Sequence, residues 1–200
     1  MMNSILIASK NAGKLDEYRH LLSEYGYEIK SLFDYPGLEE IDEPFLTFEE
    51  NAMYKAQTLY NHLHQSVIAD DSGLMVEALN GEPGVHSKRF SAEGTTEANN
   101  QLLLTKMSGN KNRKARFVAV IAYIDESGNS HLFRGDTEGY ILDKPEGKNG
   151  FGYDPLFFVK ELNKSFAELT MNEKNTISHR AKAFQKLMSY LEKHHETRRV

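Results

Sequence analysis

Between Val67 and Phe90 the chain reads VIADDSGLMVEALNGEPGVHSKRF, and no other stretch limits the fold as strongly. An apolar run, Val67-Ile68-Ala69, meets two adjacent carboxylates, Asp70 and Asp71, then Ser72 and Gly73, before a second apolar run and a Gly-Glu-Pro-Gly turn. Apolar residues bounded by Gly and Pro read as a buried strand, with Gly73 free to bend the backbone sharply. Along a strand successive side chains leave on opposite faces, so Asp70 and Asp71 must point apart: one braces the loop and the other enters a site. Carboxylates at the end of an apolar strand are costly unless paired or bound to metal, and one or two of them, completed by substrate phosphates, suit Mg²⁺. Asp, Ser and Gly also make ordinary polar turns, so this tetrapeptide alone leaves both readings open.

Residues 4–8 (SILIA) are predicted as a short buried strand running through Ser9-Lys10-Asn11-Ala12-Gly13-Lys14 into a helix with Leu15, Tyr18, Leu21, Leu22 and Tyr25 on one face. Strand, Gly-containing turn and helix is how α/β proteins hold phosphate on helix N–H groups, with Lys adding charge. The GxxxxGK[ST] loop is absent, since Ala8 stands at its first Gly and Leu15 follows Lys14; a plain strand-to-helix connection with surface lysines fits the stretch equally. Residues 27–32 read as a second strand, followed by an acidic, turn-rich loop over 34–44. Thr47 and Glu50 fit a capping box ahead of a helix whose stripe is Phe48, Ala52, Ala56, Leu59 and Leu63.

Residues 95–107 read as a helix, and 115–124 (ARFVAVIAYI) as the strongest strand in the chain. The turn at 125–129 leads back into 131–142, a hairpin that makes the sheet mixed rather than purely parallel. In the loop KNGFGYDP, Phe151 and Tyr153 are held among glycines, where they either stack on a planar base or plug the core. Ser178 or Thr176 would cap a last helix with the stripe Ile177, Ala181, Phe184, Leu187, Met188 and Leu191. His179 and Arg180 in its first turn oppose the helix dipole, which suits joint use with an electron-rich ligand. Residues 193–200 read as a frayed, charged tail.

With 200 residues, 40% apolar and 26% charged, the composition is that of a globular protein able to bury a sizeable core. The expected architecture is a single α/β domain over 1–200, bilobed, with a cleft. A net charge of −5 argues against nucleic acid as a partner. The absence of Cys excludes disulfides and thiolate metal sites. MMNSILIASKNAGK shows no signal-peptide pattern, and no stretch approaches the roughly 18 apolar residues of a membrane span, so the expected location is the cytoplasm, with no membrane partner.

SKNAGKLDE, TFEENAMYKA, ADDSGLMVEALNGEPGV, GFGYDPLF and EKNTISHR, in this order, resemble the inosine triphosphate pyrophosphatase family over nearly the whole chain. The resemblance implies an elongated α/β fold with a central mixed sheet flanked by helices and a nucleotide cleft between lobes. It also implies homodimers, Mg²⁺ dependence, and hydrolysis of ITP, dITP and XTP to monophosphate and pyrophosphate. Carried over by position, Ser9, Lys10, Asn11, Ala12, Gly13 and Lys14 would hold the triphosphate. Asp71 would be the catalytic carboxylate and a metal ligand, Ser72 a substrate contact, and Asp70 a supporting neighbour. Phe151, Gly152, Tyr153 and Asp154 would border base and sugar, and Lys174, His179 and Arg180 would line the base pocket. The family's metal-side Glu is matched here to Asp42, one methylene shorter, so an inward loop shift, a bridging water or Glu43 would have to make up the difference. A noncatalytic nucleotide sensor and a pyrophosphatase for pyrimidine or other modified nucleotides are the rival readings; a sensor would not need Asp71.

Overall fold

The computed structural model describes residues 4–22, 25–26 and 28–197. Tyr27, expected in the second strand, and residues 198–200 of the expected tail lie outside them. The strands are β1 (Ser4–Ile7), β2 (Glu28–Ser31), β3 (Val67–Val76), β4 (Lys114–Ile124), β5 (Ser130–Ile141), β6 (Phe157–Val159) and β7 (Lys164–Ser165). They form a seven-stranded sheet in the order β2-β1-β3-β4-β5-β6-β7. β1 is parallel to both β2 and β3, whereas β6 is antiparallel to β5 and β7. The sheet is therefore mixed, as the hairpin signal predicts. The helices are α1 (Ala12–Leu22), α2 (Phe48–Leu63), α3 (Thr96–Lys106), α4 (Met171–Ile177) and α5 (His179–Thr197).

The backbone divides into two compact units. One comprises Met1–Asp71, Ala119–Gly135 and Ala181–Val200; the other comprises Ser72–Val118 and Asp136–Arg180. In the first, Ile5, Ile7 and Ile68 of the sheet pack with Leu15, Tyr18 and Leu22 of α1 and with Phe184, Leu187 and Leu191 of α5. The Phe184 ring meets Tyr18 edge-on at 6.3 Å, a geometry that matches the positive edge of one ring to the negative face of the other. In the second, Leu74, Val76, Leu103, Phe117, Phe157 and Phe166 form the core.

The structure decides one reading left open by the sequence and departs from another. β3 runs unbroken through Asp70-Asp71-Ser72-Gly73, so of the two readings the sequence leaves open the turn is excluded; Lys14 meets Asp70 and Asn51 meets Asp71. Residues ahead of the last helix form a helix of their own. The Thr170 hydroxyl accepts from the Glu173 N–H and the Glu173 carboxylate reaches back to Thr170, a capping box that starts α4 at Met171. Ser178, in extended conformation, ends α4 directly before α5, so Ile177 belongs to α4 rather than to the final stripe.

Candidate active site

The first unit carries the phosphate-type turn and the carboxylates. Ser9 Oγ accepts the Asn11 N–H at 3.0 Å, and Asn11 Oδ1 accepts the Lys14 N–H at 3.1 Å. Asn11 thus caps α1, where Ala12 and Gly13 open the first turn. These bonds use the oxygens of Ser9 and Asn11 as acceptors and leave hydroxyl and amide hydrogens as donors. Lys14 Nζ lies 3.1 Å from Asp70 Oδ2. Lys10, expected on phosphate, donates to the Leu38 carbonyl at 2.8 Å and so tethers the loop over 35–46.

Asp70 and Asp71 are both 2% exposed and find different partners, as alternation along a strand requires. Asp71 Oδ2 accepts from Asn51 Nδ2 at 3.0 Å. Beside it, the buried Lys55 ammonium donates to the Asp70 carbonyl at 2.7 Å and pairs with Glu43 at 2.5 Å. Burial alone would lower the Lys55 pKa, but Glu43, Asp70 and Asp71 outweigh it and hold the ammonium above its usual value. Asp71 goes the other way. Burial, with some repulsion from Glu43, raises its pKa to about 6 against the pull of Lys55, Lys14 and the Asn51 hydrogen bond. A carboxylate held in that range can exchange a proton near neutral pH.

The structure also distinguishes the two acids of the loop. Asp42 is exposed, whereas Glu43 is half-buried and reaches Lys55. Adjacent side chains diverge from the backbone, so one of the pair faces inward, and it is the longer one. Among the described residues, no group of three or more His, Asp or Glu side chains is arranged to hold a metal ion. Glu43 and Asp71 form an incomplete set of hard oxygen donors, which fits Mg²⁺ only if phosphates and water supply the rest.

The second unit carries the aromatic loop. Asp154 is buried and its Oδ2 accepts from the Phe151 N–H at 2.8 Å and from Lys174 Nζ at 2.6 Å. Gly150 sits at φ +74°, and a Cβ there would fall 2.0 Å from Asp154 Oδ2, so that position admits only glycine. Phe151 is half-buried, with Lys174 Nζ 5.1 Å and the Arg180 guanidinium 5.8 Å from its ring centre. Tyr153 is a core plug: it is 4% exposed and donates to the Ser87 carbonyl at 2.9 Å. Gly152, between them, receives a bond at its carbonyl from Asn100 Nδ2 at 3.0 Å. Arg180 is 1% exposed and donates to Ser72 Oγ at 2.9 Å, while the His179 ring stacks on Phe117 at 4.7 Å. The chain passes from one unit to the other at the Asp71–Ser72 peptide.

Two residues absent from the sequence-based set, Asn51 and Lys55, are buried on α2 among Phe48, Ala52, Ala56 and Leu59. The signal was available: both fall inside the apolar stripe at helical spacing, where an unpartnered amide or ammonium would be costly.

Residues 5–190 match the family model described as the Ham1 family. A dITP/XTP pyrophosphatase of Thermoanaerobacter pseudethanolicus is 50% identical over 190 residues, which cover 94% of this chain and 96% of that protein. Another dITP/XTP pyrophosphatase, from Exiguobacterium sp., is 49% identical over 92% of this chain and 94% of its own length. Among solved structures, the Staphylococcus aureus Ham1 protein superposes with a TM-score of 0.86 at 39% identity, covering 96% of this chain and all of that one, 100%. The order of motifs, the mixed sheet and this extent of matching converge, and the chain belongs to the Ham1 family.

Proposed function

We propose that this protein hydrolyses non-standard purine nucleoside triphosphates, ITP, dITP and XTP, between the α- and β-phosphates, releasing the monophosphate and pyrophosphate. The observation that carries this reading is the buried Asp71 carboxylate beside Lys14, Lys55 and the opening turn of α1. Relatives named dITP/XTP pyrophosphatase at 49% and 50% identity support the substrate class.

In this reading the phosphates are bound by Ser9, Asn11 and Lys14 together with the first N–H groups of α1, which gain most as charge moves to the leaving pyrophosphate. Asp71 takes a proton from the attacking water. Lys55 holds Glu43 and the Asp70 carbonyl in place. Glu43, rather than Asp42, joins Asp71 as the residue that would hold Mg²⁺, which supplies positive charge against the phosphates and acidifies water. Phe151 offers a face to the purine, while Lys174, His179 and Arg180 offer mainly N–H donors. Hypoxanthine and xanthine present a 6-keto acceptor to such donors, whereas adenine presents an amino donor and leaves both groups unpaired. Sites built on hydrogen bonds of this kind discriminate by roughly 10⁴ to 10⁵. Guanine keeps the keto group, so its rejection must fall on the 2-amino group. The remaining parts of the reading are a homodimer acting in the cytoplasm.

A nucleotide panel tests the whole: ITP, dITP, XTP, ATP, GTP and pyrimidine triphosphates, with pyrophosphate and orthophosphate measured separately. High kcat/KM for ITP and XTP with pyrophosphate released is expected. Orthophosphate release would move the cleaved bond, preference for a pyrimidine would move the substrate, and no turnover at all would favour the sensor. The metal side has its own check. Glu43→Gln should raise the Mg²⁺ concentration needed for half-maximal rate at least about tenfold, the loss seen when groups supporting a metal are removed, while Asp42→Ala should leave it unchanged. The reverse pattern would return the role to Asp42.

A further inference from the structure

Asn51 has no exposed surface, and its side-chain amide makes three bonds. Oδ1 accepts the Phe45 N–H at 2.9 Å, and Nδ2 donates both to the Phe45 carbonyl at 3.2 Å and to Asp71 Oδ2 at 3.0 Å. Pairing with the N–H and C=O of one residue fixes that residue in direction as well as distance. Phe45 stands two residues beyond Glu43, whose carboxylate meets Lys55, one turn further along the same face of α2. Other side chains do not reproduce this clasp. Asp lacks the donor and would set a second charge against Asp71; Gln has the groups but one methylene too many; Ala leaves the Phe45 pair unmatched.

We propose that Asn51 is a positioning residue that holds Glu43 and Asp71 in register through a single amide. The proposal rests on the reading of those two carboxylates as the reacting pair. Asn51 acts on the water-activating side of the site, so its loss is read in kcat rather than in KM.

Kinetics on ITP and hydrogen exchange of metal-free, nucleotide-free protein test this together. Asn51→Ala should lower kcat by roughly 10- to 100-fold, the cost of a misplacement near 1 Å, with KM within about threefold. Exchange at the Phe45 amide should accelerate by about tenfold or more, because its acceptor is gone. Phe45→Ala keeps the backbone pair, so it should leave kcat and the slow exchange as they are. In a Glu43→Gln background, adding Asn51→Ala should cost clearly less than its roughly 10- to 100-fold effect in the wild-type protein, since one of the two carboxylates it holds in register is already lost. Should Asn51→Ala not fold, Asn51→Gln carries the same expectations for kcat and exchange. Full multiplication of the two losses, unchanged Phe45 exchange, or a KM effect at constant kcat overturns the proposal. If the wild-type protein releases no pyrophosphate from ITP, the functional reading fails, and Phe45 exchange in Asn51→Ala still decides whether the clasp exists.

Discussion

Asp71→Asn is expected to abolish nearly all turnover and, in metal-free solution at pH 8, to melt at a higher temperature than the wild-type protein. The first effect follows from losing an acid–base group, on the order of 10² to 10⁴ in kcat. The second follows from burial. Burial pushes the Asp71 carboxyl up to about 6 in the folded chain from its ordinary 3.8, so the fold favours its protonated form. Stability from this group is present below about pH 4 and is lost as pH rises through about 6. The separation of about two pKa units corresponds to about 3 kcal/mol once titration is complete. An amide at this position carries no charge, and its oxygen still accepts from Asn51. Calorimetry in the presence of a chelator should therefore show a gap between variant and wild type at pH 8 that closes at pH 4. Equal melting temperatures at both pH values would show that Asp71 is not held in a disfavoured charged state, and a near-normal kcat would move the catalytic role to Asp70.

The second large effect belongs to the buried pair Lys174–Asp154, whose side chains are 5% and 4% exposed at 2.6 Å. Lys174→Met should take the ammonium away from the buried Asp154 carboxylate, which also accepts from the Phe151 N–H. Breaking such a pair from one side costs about 3–5 kcal/mol, or on the order of 10 °C in Tm for a chain of this size. Activity on ITP should fall as well, since Phe151 is carried on the loop that Asp154 ties down. Changing both partners together, Asp154→Leu with Lys174→Met, should recover much of the stability and none of the activity, because the two-sided replacement removes the desolvated charges while the donor stays missing. A single variant that loses less than about 1 kcal/mol would mean that solvent reaches the pair.

Much of this was legible in the residues. Apolar 67–69 and 74–76 and the run 115–124 are strands because they alternate or run apolar between turn residues, and Thr47 caps α2 as its spacing with Glu50 suggests. The legible part of the site was the chemistry that cannot sit quietly in a core: Asp70, Asp71, Lys14, Arg180. What stayed hidden depends on contacts across long separations. Only the fold shows that Lys55 returns to Asp70, that Lys10 is committed to Leu38, that Glu43 rather than Asp42 turns inward, and that Tyr153 is a plug while Phe151 is not. The start of α4 is hidden for a local reason: Ser178 and Thr176 both suit a cap by residue type, whereas the capping box that forms is the one between Thr170 and Glu173.

The pairing of Lys14 with Asp70 and of Lys55 with Glu43 has a consequence for how a ligand arrives. Lys10, Lys14 and Lys55 are matched in number by Glu43, Asp70 and Asp71, so the proposed phosphate side is close to electroneutral when all six are ionised. A neutral patch on a chain of net charge −5 has little long-range pull on a polyanion, so association of the proposed triphosphate substrate is expected at the rate of unguided collision, with a shallow dependence on ionic strength. A triphosphate that travels with its own divalent cation has shed most of the repulsion before contact. In the proposed reading Lys14 exchanges Asp70 for phosphate only after contact, which would place the electrostatic discrimination in the dwell time of the nucleotide rather than in the frequency of its encounters.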